Sequence, residues 1–206
     1  MEFSTLLTFL GAAIILTVMP GPDNLFVLAQ SITQDKKAGI ATSLGLCSGL
    51  LVHIGAAVLG ISAIIYQSTV IFSIVKFAGA AYLLYLAWQS LRAKDDPFTL
   101  KQQNIQAFGL LYRKGILMNV INPKVSLFFL ALLPQFVNPI HRYVALQMLI
   151  LGMVFLVQAL ILFSLFSIFA GKVKKGIGKP AIAKRSNMVQ GILFTFIGIQ
   201  IALSKQ

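Results

Sequence analysis

Residues 3–32 read FSTLLTFLGAAIILTVMPGPDNLFVLAQSI, an almost uninterrupted apolar stretch broken at Pro20-Gly21-Pro22-Asp23-Asn24. Two prolines and a glycine end a helix, because proline supplies no backbone N–H and collides with the preceding turn. In hydrocarbon such a break is tolerated only where protein or a water-filled cavity satisfies the freed backbone groups. Asp23 adds a carboxylate at that depth, and an intramembrane carboxylate marks a functional site by default.

The rest of the chain sets this stretch in a membrane. Of 206 residues, 58% are hydrophobic and 11% charged, whereas a soluble domain carries about a quarter charged residues. A spanning helix needs about 20 apolar residues, and six stretches supply them, at about 4–32, 39–65, 69–91, 112–136, 143–170 and 187–204. Glu2 and the lack of Lys or Arg ahead of the first stretch speak against a cleaved signal peptide, so it is expected to be retained. Cys47 is the single cysteine, which rules out an intramolecular disulfide or paired-thiol chemistry.

A net charge of +12 would suggest nucleic acid in a soluble protein, but its distribution points elsewhere. Lys36 and Lys37 follow the first stretch. Arg92, Lys94, Lys101, Arg113 and Lys114 follow the third, and Lys172, Lys174, Lys175, Lys179, Lys184 and Arg185 follow the fifth. On the opposite side stand only Arg142 and Lys205. The positive-inside rule then places those three loops in the cytoplasm and both termini outside. The basic charge orients the chain and contacts anionic lipid at the cytoplasmic face, with no nucleic acid implied.

The expected fold is an all-α integral membrane protein of six transmembrane helices in a single transporter domain. Two halves, about 1–91 and 107–206, flank a cytoplasmic connector at about 92–106. Three crossings per half make the second half inverted, an arrangement that places substrate sites at interrupted helices near the midplane. Helix 4 should then be interrupted like helix 1, and it carries Asn119-Val120-Ile121-Asn122-Pro123-Lys124. Asp23 is about 12 residues from Asp35 and Lys124 about 10 from Lys114, which puts both about 15–18 Å deep in a core of about 30 Å. Opposite charges at one depth lead to the expectation of an Asp23–Lys124 pair.

Asp23 reads as an N-cap for the helix after the break, as a proton-coupling or substrate-amine-binding acid, or as both. Asn24 is expected to satisfy backbone or substrate groups. Asn119 and Asn122 would close open backbone groups at the second break or touch the ligand. Lys124 would balance Asp23 or hold a substrate carboxylate. Lys76, two turns from the outer end of helix 3, reads as snorkelling to the interface. His53 continues a Gly45–Gly49 pattern at four-residue spacing and so faces a neighbouring helix or the cavity. Gln158 and the stripe Asn187, Gly191, Thr195, Gly198 read as packing contacts between helices. No metal-ligand cluster, nucleophile–base pair or phosphate loop stands out, so neither enzyme activity nor a cofactor is expected.

Three elements in order carry a resemblance. They are Pro20-Gly21-Pro22-Asp23-Asn24, the run Gly79-Ala80-Ala81-Tyr82-Leu83-Leu84-Tyr85-Leu86-Ala87-Trp88, and Asn122-Pro123-Lys124. Together they resemble the LysE/RhtB family of bacterial amino-acid exporters, in particular its homoserine/threonine-resistance branch. The resemblance implies proton-driven export of amino acids or close derivatives through the bacterial inner membrane. It also assigns Pro20 to Asn24 to one family signature and Asn122, Pro123 and Lys124 to a second. With Asp23 the sole deep acid, neutral cargo such as threonine, homoserine or branched residues is expected. Expected partners are the amino-acid substrate, protons, the bilayer and further copies of the chain. Two other readings are heavy-metal cation efflux, for which Cys47 and His53 are a thin ligand supply, and a non-transport membrane scaffold, which leaves the two charged breaks without a purpose.

Overall fold

The structure is a computed structural model that describes residues 2–19, 21–61, 69–92, 105–138 and 143–174, with nine positions between 188 and 203. Pro20, Asn187 and the Lys76 side chain lie outside the described residues. Every regular element among those residues is helical.

Helix α1 (Phe3–Val18) stops at the first break, and α2 (Pro22–Thr33) starts directly after it. Gly21 takes an extended backbone, φ −166° and ψ 177°, and Pro22 occupies the first helical position, where a missing N–H costs nothing. A tight turn leads into α3 (Lys36–Ala56), whose N-terminus is capped by Asp35 accepting from the Ala38 N–H at 2.8 Å. The helix continues through a π-helical turn, Ala57–Ile61. Helix α4 spans Thr69–Arg92.

The second break has its own local cause. Proline disfavours helical backbone at the residue before it. Asn122 accordingly sits at φ −69° and ψ 109°, ending α5 (Phe108–Ile121), and Pro123 opens α6 (Pro123–Leu127). The chain runs on through Phe128–Leu132 and Leu133–Phe136 before α7 (Val144–Lys174).

By length and composition two helical segments can cross a membrane unbroken, Lys36–Gly60 and Val144–Ala170. Each broken pair meets the same requirement when its two helices are taken together, bent by 56° at the first break and 49° at the second, which gives up to four spans if each pair counts as one. Helix α4, at 24 residues, matches the third expected stretch, while the sixth falls largely outside the described residues. Leu51, Val52, Val157, Ile161 and Ile168 are exposed on the outer faces of α3 and α7. A water-soluble protein rarely shows so much contiguous apolar surface, and lipid is the solvent that suits it.

Helix α3 lies between α2, α5 and α7. Its glycines let α5 come close: a methyl group added at Gly45 would strike the Tyr112 carbonyl, and one at Gly49 would lie 2.8 Å from the Asn119 Cβ. Gly115 reciprocates from α5, where an added methyl would lie 2.6 Å from the Thr42 carbonyl oxygen. The glycine spacing on α3 therefore meets its partner on α5, backbone against backbone. Towards the C-terminus, Gly191 and Gly198 rest against Leu91 and Leu84 of α4, the packing role expected of that stripe.

Candidate functional site

The close approach of α3 and α5 aligns the polar end of α5 with the start of α2. Asn119, in the last turn of α5, and Asn122, the non-helical residue that ends it, both turn towards Asp23. Asn122 Nδ2 donates to Asp23 Oδ1 at 2.8 Å, and Asn119 Nδ2 donates to Asp23 Oδ2 at 3.1 Å. The acid is only 6% exposed. Two bonds leave the carboxylate about half of its four lone-pair positions for a proton or another donor.

The same asparagines hold the second break. Asn122 Oδ1 accepts from the Lys124 backbone N–H at 3.0 Å, capping α6. The backbone oxygen of Asn119 meets His53 Nε2 at 3.1 Å, and the His53 ring stacks on Phe129 at 5.9 Å. His53 thus faces a neighbouring helix, in line with the glycine stripe it extends. Among the described residues Asn119 Oδ1 has no hydrogen-bond partner, and it lies 3.0 Å from where a Gly49 Cβ would be.

At the first break the end of α1 leaves carbonyl groups without helical partners. Asn24 Nδ2 gathers three of them, Thr17 at 2.7 Å, Met19 at 2.9 Å and Val18 at 3.2 Å. Lys124 reaches the same place: its Nζ donates to the Met19 carbonyl at 3.0 Å. This differs from the expected ion pair. Among the described residues no ion pair joins Asp23 to Lys124, because the two carboxamides of α5 occupy the acid and the lysine side chain turns to the end of α1. Each break is therefore stitched to the other twice, once through Asp23 and once through Lys124.

Thr17 and the phenylalanines are not singled out by the sequence, and Gln158 reads there only as a packing contact. Thr17 Oγ1 accepts from Gln158 Nε2 at 2.9 Å, which ties α7 to the last turn of α1. Among the described residues Gln158 Oε1 has no hydrogen-bond partner. The phenylalanines, ordinary in a membrane span, form one cluster: Phe128 and Phe129 flank Phe155 at 4.8 and 5.3 Å, and Phe9 packs on Phe128 and Phe136. That cluster packs the chain directly after the second break against α1 and α7.

The family model for LysE type translocators matches residues 14–205, which takes in both breaks and every polar residue of the site. The chain belongs to this family. It is a membrane transporter and not an enzyme. Among the relatives of this LysE type translocator is a homoserine/homoserine lactone efflux protein of Salmonella typhimurium (strain LT2), 32% identical over all of this chain and 99% of the relative. A leucine efflux protein of the same strain is 28% identical over 95% of the chain and 93% of the relative. A membrane protein of Bacillus subtilis (strain 168) is 30% identical over 97% and 99%. No solved structure is a significant match.

Proposed function

We propose that this LysE type translocator exports neutral amino acids, of the size and polarity of homoserine or leucine, from the cytoplasm through the bacterial inner membrane, and that Asp23 carries the coupling proton. The observation that carries this reading is the placement of Asp23: one buried acid, at the first break, held by two carboxamides from the second. An acid that joins two halves through neutral donors can take up or give up a proton without breaking a covalent or ionic lock, and doing so changes the bonds between the halves. The names of the relatives supply the class of cargo.

In this reading the chain is one domain of two inverted halves, about 1–91 and 107–206, and the breaks mark the passage between them. The excess of Lys and Arg in three loops puts those loops in the cytoplasm against anionic lipid, with both termini outside. Reporter fusions at Gln103 and Gln206 are expected to lie on opposite sides of the membrane; a shared side would overturn that topology.

Transport itself is tested with the purified full chain in vesicles loaded with amino acids. Counterflow of leucine, homoserine or threonine should exceed that of empty vesicles, and net movement should follow an imposed pH gradient. Failure of all three to exchange would remove the export reading; exchange indifferent to the gradient would remove the proton.

A further inference from the structure

Asn119 is 1% exposed, and among the described residues its Oδ1 accepts no hydrogen bond. Buried acceptors without a donor are rare and costly, and this one belongs to a side chain that touches the buried acid. The two carboxamides that hold Asp23 are not equivalent. Asn122 has both ends engaged: Nδ2 donates to Asp23 Oδ1 at 2.8 Å, and Oδ1 accepts from the Lys124 N–H at 3.0 Å. Turned over, it would set its amino group against that N–H and its oxygen against the acid, so it is fixed as a donor. Asn119 has one end engaged, Nδ2 to Asp23 Oδ2 at 3.1 Å, and turning it over breaks no bond at the other.

The surroundings hold the Asn119 backbone still and leave its carboxamide room to turn. In an unbroken helix the Asn119 carbonyl would accept from residue 123, and Pro123 has no N–H. The Asn122 N–H at 2.9 Å and His53 Nε2 at 3.1 Å take its place. A carbonyl oxygen only accepts, so Nε2 of His53 carries the hydrogen. That ring is buried and stacked on Phe129, and it pins the peptide from which the Asn119 side chain projects. On the far side of the carboxamide stands Gly49, where an added Cβ would lie 3.0 Å from Asn119 Oδ1 and 3.0 Å from the Ile116 carbonyl oxygen. The glycine leaves the space for rotation, and the Ile116 carbonyl puts an acceptor on the side where Oδ1 now sits.

We propose that the proton carried by Asp23 sits on Oδ2 and is read by Asn119, whose carboxamide turns over to accept from it. Adding the proton forms one O–H bond, cancels the carboxylate charge and makes Oδ2 a donor. Donor then faces donor until Asn119 makes a half-turn and Oδ1 accepts from the acid. Asn122 keeps its bond to the other carboxyl oxygen throughout. The tie between the two breaks survives in both states with the direction of one bond reversed, and the amino group of Asn119 comes to face α3 at Gly49. Proton uptake at the break thereby reaches the contact of α3 with α5. This deepens the reading of Asp23 as the proton carrier and rests on it.

Other titratable groups act on Asp23 through space: Lys124 of α6, and His53 and Cys47 of α3. Lys124 and His53 are committed to the Met19 and Asn119 carbonyls, and neither bonds the acid. The α1 segment has no charged residue, α5 has Tyr112, Arg113 and Lys114 in its first half, and α7 has Lys172 and Lys174 in its last turn.

Infrared difference spectra of the purified full chain, recorded as the pH is lowered, test the turn. Asparagine isotope-labelled at the side-chain carbonyl separates its band from the backbone, and a carbonyl that gains a hydrogen bond absorbs at lower frequency. In wild type, an unbonded asparagine component should give way to a bonded one as the Asp23 carboxylic-acid band grows, both with one midpoint. Asp23→Asn sets a permanent N–H against Asn119 and should show the bonded component alone at every pH. Asn119→Leu should lack both components and lower gradient-driven export about tenfold. The comparison of wild type with Asp23→Asn stands even where the leucine variant does not fold.

An asparagine spectrum that stays unchanged while the acid band grows, or a change that persists in Asp23→Asn, would overturn the turn of Asn119. The two readings fail separately. Gradient-driven export with an unchanged asparagine spectrum removes the turn alone. The spectral change without any response of exchange to a pH gradient keeps Asn119 as the partner of the acid and removes the proton from transport. No Asp23 acid band at any pH where the protein stays folded removes both.

Discussion

Asp23→Asn is expected to lower amino-acid export on the order of a hundredfold, the equivalent of about 2.7 kcal/mol, while the protein reaches the membrane in normal amount. The replacement keeps the shape and removes only the charge and the proton-binding oxygen. Its remaining oxygen still accepts from Asn122 Nδ2, now at 2.8 Å from the acid. The new amide nitrogen would face the Asn119 nitrogen, donor against donor. Asn119 resolves this by turning its carboxamide over, since its Oδ1 has no partner to lose and would then accept from the new amide. The orphan oxygen therefore makes the substitution nearly silent for folding. Asp23→Ala lacks that property, because it strands two buried N–H groups and confuses misfolding with inactivity. The pair of measurements is counterflow in vesicles and the melting temperature of the purified protein. Wild-type export by Asp23→Asn would end the case for Asp23 as the proton carrier.

Much of this site is legible in the chain because proline and charge are loud in an apolar sequence. Pro22 and Pro123 place the breaks to the residue, and the GxxxG spacing of Gly45 and Gly49 identifies a close helix contact. What the spacing does not contain is rotation. Asp23 and Lys124 have opposite charges at one depth, yet which side chains meet depends on how α5 turns about its own axis against α3. The Gly45, Gly49 and Gly115 contacts set that turn, and it brings the asparagines, not the lysine, to the acid. Thr17 escapes notice, and Gln158 reads only as a packing contact, for a different reason. A single hydroxyl or amide within a span is ordinary, and only the three-dimensional end of α1 shows that both belong to the break.

Asn24 stands next to Asp23 in the chain and should fail in the opposite way. Asn24→Leu is expected to deplete folded protein in the membrane, with the surviving fraction melting well below wild type. One carboxamide now closes three carbonyl groups at the end of α1, at a depth where water does not replace it. Met19 keeps Lys124 as a donor, so the leucine strands the Thr17 and Val18 oxygens. Each stranded buried group costs about 1–3 kcal/mol, and the total of about 2–6 kcal/mol is a large part of the 5–15 kcal/mol that holds a typical domain folded. Asn24→Asp should do little better, since a carboxylate presents acceptors to acceptors. Membrane level by immunoblot and melting of the extracted protein read the result. Normal levels and normal melting in Asn24→Leu would show that the carbonyls find other donors and that Asn24 is not what closes the first break. The two neighbours diverge because they face different partners one residue apart on α2: Asn24 looks back at the helix that ended, and Asp23 looks across to the second break.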